Sequence, residues 1–149
     1  MSKILLIHGP NLNLLGTREP DVYGGESLAD VNRRLEGLAQ DANVSLVCHQ
    51  ENSELALLQL IHGALETGVD FIIFNPAAYT HTSVVLRDAL AAVQIPFVEV
   101  HISNVHSRED FRRHSYFSDL SVGTISGFGT LSYDLAFRAA VSHLEKLNP

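Results

Sequence analysis

Short apolar runs alternate with longer segments of helical periodicity along the whole chain. The runs that we predict to be strands span residues 4–8, 44–49, 71–75, 97–102 and 122–126. Each is short enough for a strand, and each is followed by a segment with apolar residues at helical spacing. Alternation of this kind is typical of a parallel sheet that is covered by helices on both faces.

The intervening segments predict the helices of those two outer layers. They span residues 27–43, 53–67 and about 82–93, and Thr130 opens the last helix. No repeat, linker or low-complexity segment interrupts them. We therefore predict an α/β fold with one domain over residues 1–149, a flavodoxin-like three-layer sandwich whose five-stranded parallel sheet has the order 2-1-3-4-5.

Two finer features of the helices follow from local patterns. Ser107 with Asp110 resembles a capping pair and predicts one short helix between the last two strands. In the second helix, the spacing of Leu55, Ile61 and Leu65 places these side chains, together with Leu58, on the buried face.

Composition narrows the possible functions. Of the 149 residues, 46% are hydrophobic, and the formal net charge is −7. An acidic chain is poorly suited to nucleic acid or an anionic membrane. Cys48 is the only cysteine, which excludes an intramolecular disulfide. The first apolar run is too short for a signal peptide or a membrane span, so we expect a cytoplasmic protein.

Polar residues follow several strands at the point where each strand ends. Asn11 lies after the first strand, Asn75 ends the third, His101 ends the fourth with Ser103 beyond it, and Gly127 follows the fifth. The carboxyl ends of parallel strands meet at one edge of a sheet, where ligands bind in open α/β folds. The same residue types also suit turns, so turn chemistry is the alternative explanation.

The loop after the first strand, residues 9–25, is longer than an ordinary connection. Loops of this length are often lids or binding elements. Arg18 and Tyr23 lie on it, and an arginine cation can lower the pKa of a nearby phenol, which would make Tyr23 a candidate base. The alternative is a surface loop without a functional role, in which Tyr23 packs against the rest of the domain.

The fourth strand carries a carboxylate two residues before a histidine. Glu99 and His101 share one face by the strand period of two. A carboxylate beside an imidazole favours the protonated ring and fixes its orientation, as a general acid requires. A structural pair that holds the sheet end together is the alternative. His81, just before the third helix, could bond a substrate hydroxyl or cap that helix.

Other side chains narrow the chemistry further. The eight histidines include no HExxH pattern and no dense cluster with carboxylates, so we expect no metal. The only lysines, Lys3 and Lys146, lie near the ends of the chain, which disfavours a Schiff base. A carbonyl substrate would then react through an enolate. Arg108, Arg112 and Arg113 form the most basic patch.

Four motifs together closely resemble type II 3-dehydroquinate dehydratases. They are GPNLNLLGTREPDVYG, NPAAYTHTS, EVHISNVHSREDFRRHSY and the closing SGFG, and the similarity covers nearly the whole chain in order. The resemblance implies a flavodoxin-like lyase that converts 3-dehydroquinate to 3-dehydroshikimate without cofactor or metal. It also implies a homo-oligomer, a dodecamer built as a tetramer of trimers.

The resemblance implies catalytic roles for five residues. Tyr23 would be the base that removes a proton from the carbon beside the ketone, with Arg18 lowering its pKa. His101, oriented by Glu99, would protonate the departing hydroxyl. Asn11 would help to hold the water that stabilises the enolate.

It also implies how the substrate is held. The substrate carboxylate would bind the backbone NH groups of Ile102 and Ser103, with Asn75 nearby. His81 and Arg112 would hold ring hydroxyls.

Assembly and loop closure involve two further residues. By resemblance, Asp88 would reach the site of a neighbouring subunit, and Arg108 would belong to the closing lid. The sequence departs from the family pattern at Ala77, beside the carboxylate pocket, and at Ser132, near the start of the last helix, where the family usually has glycine. We expect these departures to affect affinity or loop conformation more than activity.

Three other functions compete with the dehydratase. A flavodoxin-like module could bind flavin mononucleotide or a phosphorylated metabolite. A signalling receiver domain would need acidic residues where this chain has Asn11 and Asn75. A catalytically inactive assembly protein would have no need of the Tyr23, Arg18 and His101 set. The dehydratase itself could serve aromatic biosynthesis or quinate breakdown, because both use the same intermediate.

Overall fold

A computed structural model describes residues 1–17, 21 and 25–148 of the chain. Its five strands pair in parallel in the order β2-β1-β3-β4-β5. They are β1 Lys3–His8, β2 Ser45–Gln50, β3 Phe71–Asn75, β4 Phe97–His101 and β5 Gly123–Ser126. The predicted strand order is confirmed, and each predicted strand agrees to within one residue at either end.

Long helices cover both faces of this sheet. They are α1 Leu28–Ala42, α2 Glu54–Glu66, α3 Val84–Val93 and α4 Leu131–Leu147. The side chains of Ser27, Ser53 and Ser83 each accept a hydrogen bond from a backbone NH three residues ahead, and these caps determine where the first three helices begin. Among the described residues, none of these helices combines the length and the apolar character needed to cross a bilayer.

The two faces of the sheet bury different helices. Val31 of α1 and Phe137 of α4 pack on one face, whereas Leu57 of α2 and Leu86 of α3 pack on the other. The sheet side chains on the α1/α4 face include Ile4, Leu6, Phe71, Ile73, Val98 and Val100, and those on the α2/α3 face include Leu5, Ile7, Ile72, Phe74 and Phe97. This is the three-layer arrangement that the sequence predicts.

Because side chains alternate between the two faces along each strand, the residues at the strand ends also lie on one face or the other. His8 ends β1 and Asn75 ends β3. By the strand period of two, both lie on the face of the sheet that packs against α1 and α4. Glu99 and His101 on β4 lie on the same face of the sheet as Phe97, which packs against α2 and α3. The polar strand ends therefore lie on opposite sides of the same sheet edge.

The loops after β1 and β3 touch at this edge. The backbone NH of Gly9 donates to the carbonyl of Asn75 at 2.8 Å. A Cβ atom at position 9 would lie 2.6 Å from the carbonyl oxygen of Pro76, closer than real Cβ contacts occur. Only glycine allows this approach, which brings the Asn11 loop beside Asn75.

The prediction of one short helix capped by Ser107 and Asp110 was wrong. Two separate 3₁₀ turns occupy this segment, at Val105–Ser107 and at Asp110–Arg113. The first is capped by Asn104, whose side chain accepts from the NH of His106 at 3.1 Å. The Ser107 hydroxyl donates to the Asn104 carbonyl instead of capping a helix of its own.

The predicted buried face of α2 was also wrong in part. Leu55 and Leu65 are 62% and 58% exposed, whereas Leu57, Ile61 and Ala64 are buried. The helix has leucine or isoleucine at so many positions that more than one apolar stripe fits the helical period. Contact with α3 selects one of these stripes, and the sequence of α2 alone does not contain that information.

Candidate active site

A cavity of about 240 Å³ opens at the carboxyl edge of the sheet. Its walls come from the segments that follow β1, β3 and β4, as expected for a ligand site in an open α/β sheet. The predicted site residues that line it are Asn11, Asn75, His81, His101, Ile102, Ser103, Arg108 and Arg112. These residues end or follow three different strands, and the fold brings them together around one space.

The remaining predicted site residues lie elsewhere. Glu99 is behind His101, where it borders a second cavity of about 720 Å³. Asp88 is exposed on α3. Arg18 and Tyr23 lie outside the described residues, so their predicted roles stay predictions.

Glu99 and His101, hereafter the acid pair, form a buried contact. Their residues are 1% and 7% exposed, and the Nε2 atom of His101 donates to Oε2 of Glu99. The hydroxyl of Ser118 donates to Glu99 Oε1 at 2.7 Å, and that of Ser115 lies 2.9 and 3.0 Å from the two carboxylate oxygens. Each oxygen of the Glu99 carboxylate is therefore hydrogen-bonded.

These contacts determine the charge of Glu99. Burial opposes ionisation of the carboxyl, but the hydrogen bond and charge of His101 and the hydroxyls of Ser118 and Ser115 outweigh it, so the pKa of Glu99 lies below its ordinary value. An ionised carboxylate stabilises an imidazolium that it contacts. The acid pair thus places an ionised carboxylate against an imidazole ring at the wall of the cavity.

A second buried array, hereafter the neutral chain, runs from Asn32 through His8 and Tyr133 to Asn75. His8 Nε2 lies 2.8 Å from the side-chain oxygen of Asn32, and Nδ1 lies 3.0 Å from the Tyr133 hydroxyl. The amide nitrogen of Asn75 donates to the same hydroxyl at 2.9 Å. The amide oxygen of Asn75 then accepts from the NH of Ala77 at 3.1 Å.

Burial keeps this chain uncharged. It lowers the pKa of His8 to about 4, although the hydrogen bond with Asn32 acts in the opposite direction, and it raises the pKa of the Tyr133 phenol. Neutral His8 donates from Nε2 to Asn32, so its Nδ1 accepts from Tyr133, and Tyr133 in turn accepts from Asn75. Every polar group in the series has a partner, and Asn75 is held in one orientation.

Sequence reasoning did not identify His8 and Tyr133 as contributors to the site. One signal for His8 was present, because it is a polar residue at the end of an apolar strand and in register with Asn75 on the neighbouring strand. Tyr133 is 125 residues away from His8, and nothing local to α4 indicates that its hydroxyl reaches two strand ends.

His81 does not cap the third helix, because the Ser83 hydroxyl accepts from Leu86 NH at 3.0 Å and occupies that role. The Nδ1 atom of His81 lies 2.8 Å from the carbonyl of His114, to which only a protonated nitrogen can donate. Burial is the main cause that lowers the pKa of His81, despite this hydrogen bond. The neutral ring therefore has Nε2 as its hydrogen-bond acceptor.

Two arginines supply positive charge to the cavity wall. Arg112 donates from Nε to Glu109 at 3.0 Å, and its guanidinium lies 4.9 Å from the centre of the Phe111 ring. Arg108 lies 3.7 Å from the same Glu109 carboxylate. Both guanidinium groups line the cavity, and positive charge at its wall suits an anionic ligand.

The two departures from the family pattern have different structural consequences. Ala77 has φ +52°, a left-handed conformation that suits glycine better than alanine. Ser132 is fully buried, and its hydroxyl accepts from the NH of Phe128 at 3.1 Å. The first departure strains the backbone beside Asn75, whereas the second adds a hydrogen bond to the turn after β5.

Within the part of the chain that the structure describes, no group of three or more histidine, cysteine or acidic side chains is arranged to hold a metal ion. The described site consists instead of an imidazole–carboxylate pair, amide groups, hydroxyls and guanidinium groups.

Residues 2–141 match the family model described as dehydroquinase class II. The chain is 60% identical to a 3-dehydroquinate dehydratase of Hahella chejuensis over 144 residues, which cover 97% of this chain and 98% of that protein. It is 58% identical to a 3-dehydroquinate dehydratase of Teredinibacter turnerae over 149 residues, covering 100% and 97% of the two chains.

The fold shows the same relationship. The solved type II dehydroquinase from Butyrivibrio crossotus superimposes with a TM-score of 0.91 at 42% identity, over 93% of this chain and 97% of that one. The predicted flavodoxin-like fold, the resemblance to the family and the prediction of a type II hydro-lyase are confirmed. The chain therefore belongs to the class II dehydroquinase family.

Proposed function

We propose that the protein dehydrates 3-dehydroquinate to 3-dehydroshikimate in the cavity at the carboxyl edge of the sheet, without cofactor or metal. The observation that carries the proposal is the buried acid pair, which places a carboxylate-bound imidazole in the wall of a cavity that also contains arginines. Elimination of water needs a proton for the departing hydroxyl, and this imidazole is suited to supply it.

The substrate is held by its carboxylate. The backbone NH groups of Ile102 and Ser103 bind it, and Asn75, oriented by the neutral chain, lies on the same cavity wall. His81 and Arg112 hold ring hydroxyls, His81 through the acceptor nitrogen that its bond to His114 leaves available. The substrate is thus fixed at both ends before the reaction begins.

The acid step belongs to His101. Its Nε2 is engaged by Glu99, so in this proposal Nδ1 gives its proton to the leaving hydroxyl, which departs as water. The carbon–oxygen bond breaks with its electron pair going to that oxygen. Glu99 stabilises the imidazolium before the transfer and keeps the ring in position after it.

The base step belongs to Tyr23, with Arg18 lowering the pKa of its phenol. Tyr23 removes a proton from the carbon beside the ketone and forms an enolate, whose oxygen is stabilised by a water that Asn11 helps to hold. A Schiff base is disfavoured because Lys3 lies at the opposite end of β1 from the cavity, where its Nζ donates to the Thr67 carbonyl.

Assembly completes the site. Asp88 is exposed on α3, as a residue that reaches a neighbouring subunit must be, and Arg108 belongs to a lid that closes over the substrate. We propose a dodecamer built as a tetramer of trimers, located in the cytoplasm.

The direct test mixes the purified protein with 3-dehydroquinate and follows the ultraviolet absorbance of the conjugated product in the presence of a chelator. We expect turnover, and we expect Tyr23→Phe and His101→Ala to lose it by orders of magnitude while their circular dichroism matches the parent. Absence of product with the parent protein would reject the activity. Near-normal rates in either variant would reject the role given to that residue.

A further inference from the structure

The Glu99 carboxylate is held from two sides. His101 donates to Oε2 on the side of the substrate cavity. The hydroxyls of Ser118 and Ser115 approach from the side of the second cavity, which both serines help to line. Within the described residues, these three side chains are the donors to Glu99, and the two serines come from a turn that the mechanism has not used.

We propose that Ser115 and Ser118 are positioning residues for the acid step, which hold the Glu99 carboxylate in the orientation that accepts from His101. The inference rests on the proposed dehydratase activity and deepens it. Neither serine lines the substrate cavity, so both act through Glu99 and not on the substrate. Without them, the carboxylate would turn toward the second cavity, where water could satisfy it.

The turn that carries the serines is itself firmly held. The Ser115 hydroxyl accepts from the backbone NH groups of Phe117 and Ser118 at 3.0 and 3.2 Å. Phe117 is fully buried and lies edge-on to Phe74 of β3, with ring centres 5.5 Å apart. The hydroxyls are therefore fixed relative to the sheet, as groups that position another side chain must be.

Other charges surround the acid pair and must be separated from the effect of the serines. The other charged and titratable groups that border the two cavities around it are His81, Arg87, His106, Arg108, Arg112, Arg113, His114, Tyr116 and Asp119. Arg87 is engaged by Asp119 at 2.9 Å, and Arg112 is engaged by Glu109. Substitution of a serine leaves all these charges in place, whereas it removes a donor to the ionised form of Glu99 and so raises the pKa of that carboxyl.

Ser118→Ala is the informative variant, because its hydroxyl donates to Glu99 and alanine changes little else. Ser121→Ala is the matched control: its hydroxyl donates to the Ser118 carbonyl at 2.8 Å in the same turn and does not contact Glu99. Ser118→Thr keeps a hydroxyl and tests rescue. Circular dichroism shows whether each variant has folded.

We expect Ser118→Ala to lower kcat on 3-dehydroquinate about tenfold with little change in KM, since the substrate contacts are intact. The acidic limb of its kcat profile should move to higher pH. Ser118→Thr should recover most of the rate, and Ser121→Ala should match the parent. An unchanged kcat and limb in Ser118→Ala, or an equal loss in Ser121→Ala, would overturn the inference.

A second measurement separates this inference from the proposed function. In protein labelled with ¹³C at the glutamate carboxyls, the titration midpoint of Glu99 should be higher in Ser118→Ala than in Ser121→Ala, whether or not the protein turns over. A parent protein that makes no product rejects the proposed dehydratase. An unshifted Glu99 midpoint rejects the positioning role, even if the parent is active.

Discussion

Two buried histidines end strands at the same edge of the sheet, yet the partners that they contact differ in charge. His8 ends β1 on the α1/α4 face, where its partners are an amide and a phenol. His101 ends β4 on the α2/α3 face, where its partner is a carboxylate. Both residues are less than a tenth exposed, so the charge of the partner distinguishes them more than the degree of burial does.

The two faces of the sheet therefore contribute different properties to the site. In the neutral chain, Asn75 donates to Tyr133 and Tyr133 donates to His8, and this series can orient a group without carrying a charge. In the proposed mechanism, the acid pair supplies a proton to the leaving hydroxyl. The proposed mechanism uses both properties, and placing them on opposite faces of one sheet keeps the ionised Glu99 away from the buried neutral ring of His8.

The largest expected effect comes from making the partner of His101 resemble that of His8. Glu99→Gln keeps the shape of the carboxylate but removes its charge, so the imidazolium loses its counter-ion. We expect kcat on 3-dehydroquinate to fall about a thousandfold, roughly 4 kcal/mol of transition-state stabilisation, with a much smaller change in KM. Steady-state kinetics at pH 7 measure both constants.

The control for Glu99→Gln is Asp119→Asn. It removes one carboxylate from the border of the same second cavity without contacting the acid pair, and it should keep kcat within a few-fold of the parent. If Glu99→Gln turned over as fast as Asp119→Asn, the proton donor would have to be sought elsewhere, and the contrast between the two histidines would have no catalytic meaning.

The next effect concerns the pH dependence of stability on the neutral side. The unfolded chain protonates His8 near its ordinary pKa of 6.5, whereas the folded protein does so only at about 4. Between these values the unfolded state binds more protons, so the free energy of unfolding falls as the pH is lowered from about 6.5 to about 4. The loss should be roughly 3 kcal/mol, and complete below that range.

Urea unfolding of the parent and of His8→Gln at several pH values isolates this contribution. Glutamine keeps a neutral polar group but does not titrate, and the carboxylates of the two proteins are the same. The difference in free energy of unfolding between them should therefore change by roughly 3 kcal/mol over this range. Parallel curves would show that His8 is not held neutral by the fold.

A smaller effect should follow from removing the phenol that connects His8 to Asn75. Tyr133→Phe leaves an acceptor nitrogen of His8 and a donor of Asn75 buried without a partner, which should cost about 2 kcal/mol of unfolding free energy. Because Asn75 loses its orientation, KM should rise about tenfold while kcat changes little.

Tyr79→Phe is the matched control for the loss of a hydroxyl. The Tyr79 hydroxyl donates to the Asn52 carbonyl at 3.1 Å in a more exposed setting, so the cost of removing it should be under about 1 kcal/mol. Equal losses from the two variants would mean that the neutral chain is no more than an ordinary set of hydrogen bonds.

The difference between the two faces also explains what the sequence could reveal. Glu99 and His101 are two residues apart on one strand, and the strand period alone places them on the same face. The carboxyl-edge positions of Asn11 and Asn75 follow from strand boundaries that apolar runs indicate well. All these inferences use local periodicity together with the general topology of parallel sheets.

Partners that are distant in sequence could not be inferred in this way. Ser118 reaches Glu99 through a turn 19 residues further along, and Tyr133 reaches His8 from α4. Serine and tyrosine occur commonly in turns and helices, so neither has a local signature of its role. The error at Leu55 has the same origin, because packing between helices decided which of several apolar stripes was buried.

The smallest expected effect lies at the end of the neutral chain, where the NH of Ala77 donates to Asn75. Ala77→Gly keeps this backbone donor and relieves the strain of a left-handed alanine, although glycine gains freedom in the unfolded state. We expect a net gain of about 0.5 kcal/mol in unfolding free energy. Ala78 is the neighbouring residue and has no positive φ. Ala78→Gly should therefore lower the unfolding free energy by about 0.5 kcal/mol, because glycine raises the entropy of the unfolded chain and there is no strain to relieve. Urea unfolding at pH 7 compares the two variants, and losses in both would show that the conformation at Ala77 costs the protein little.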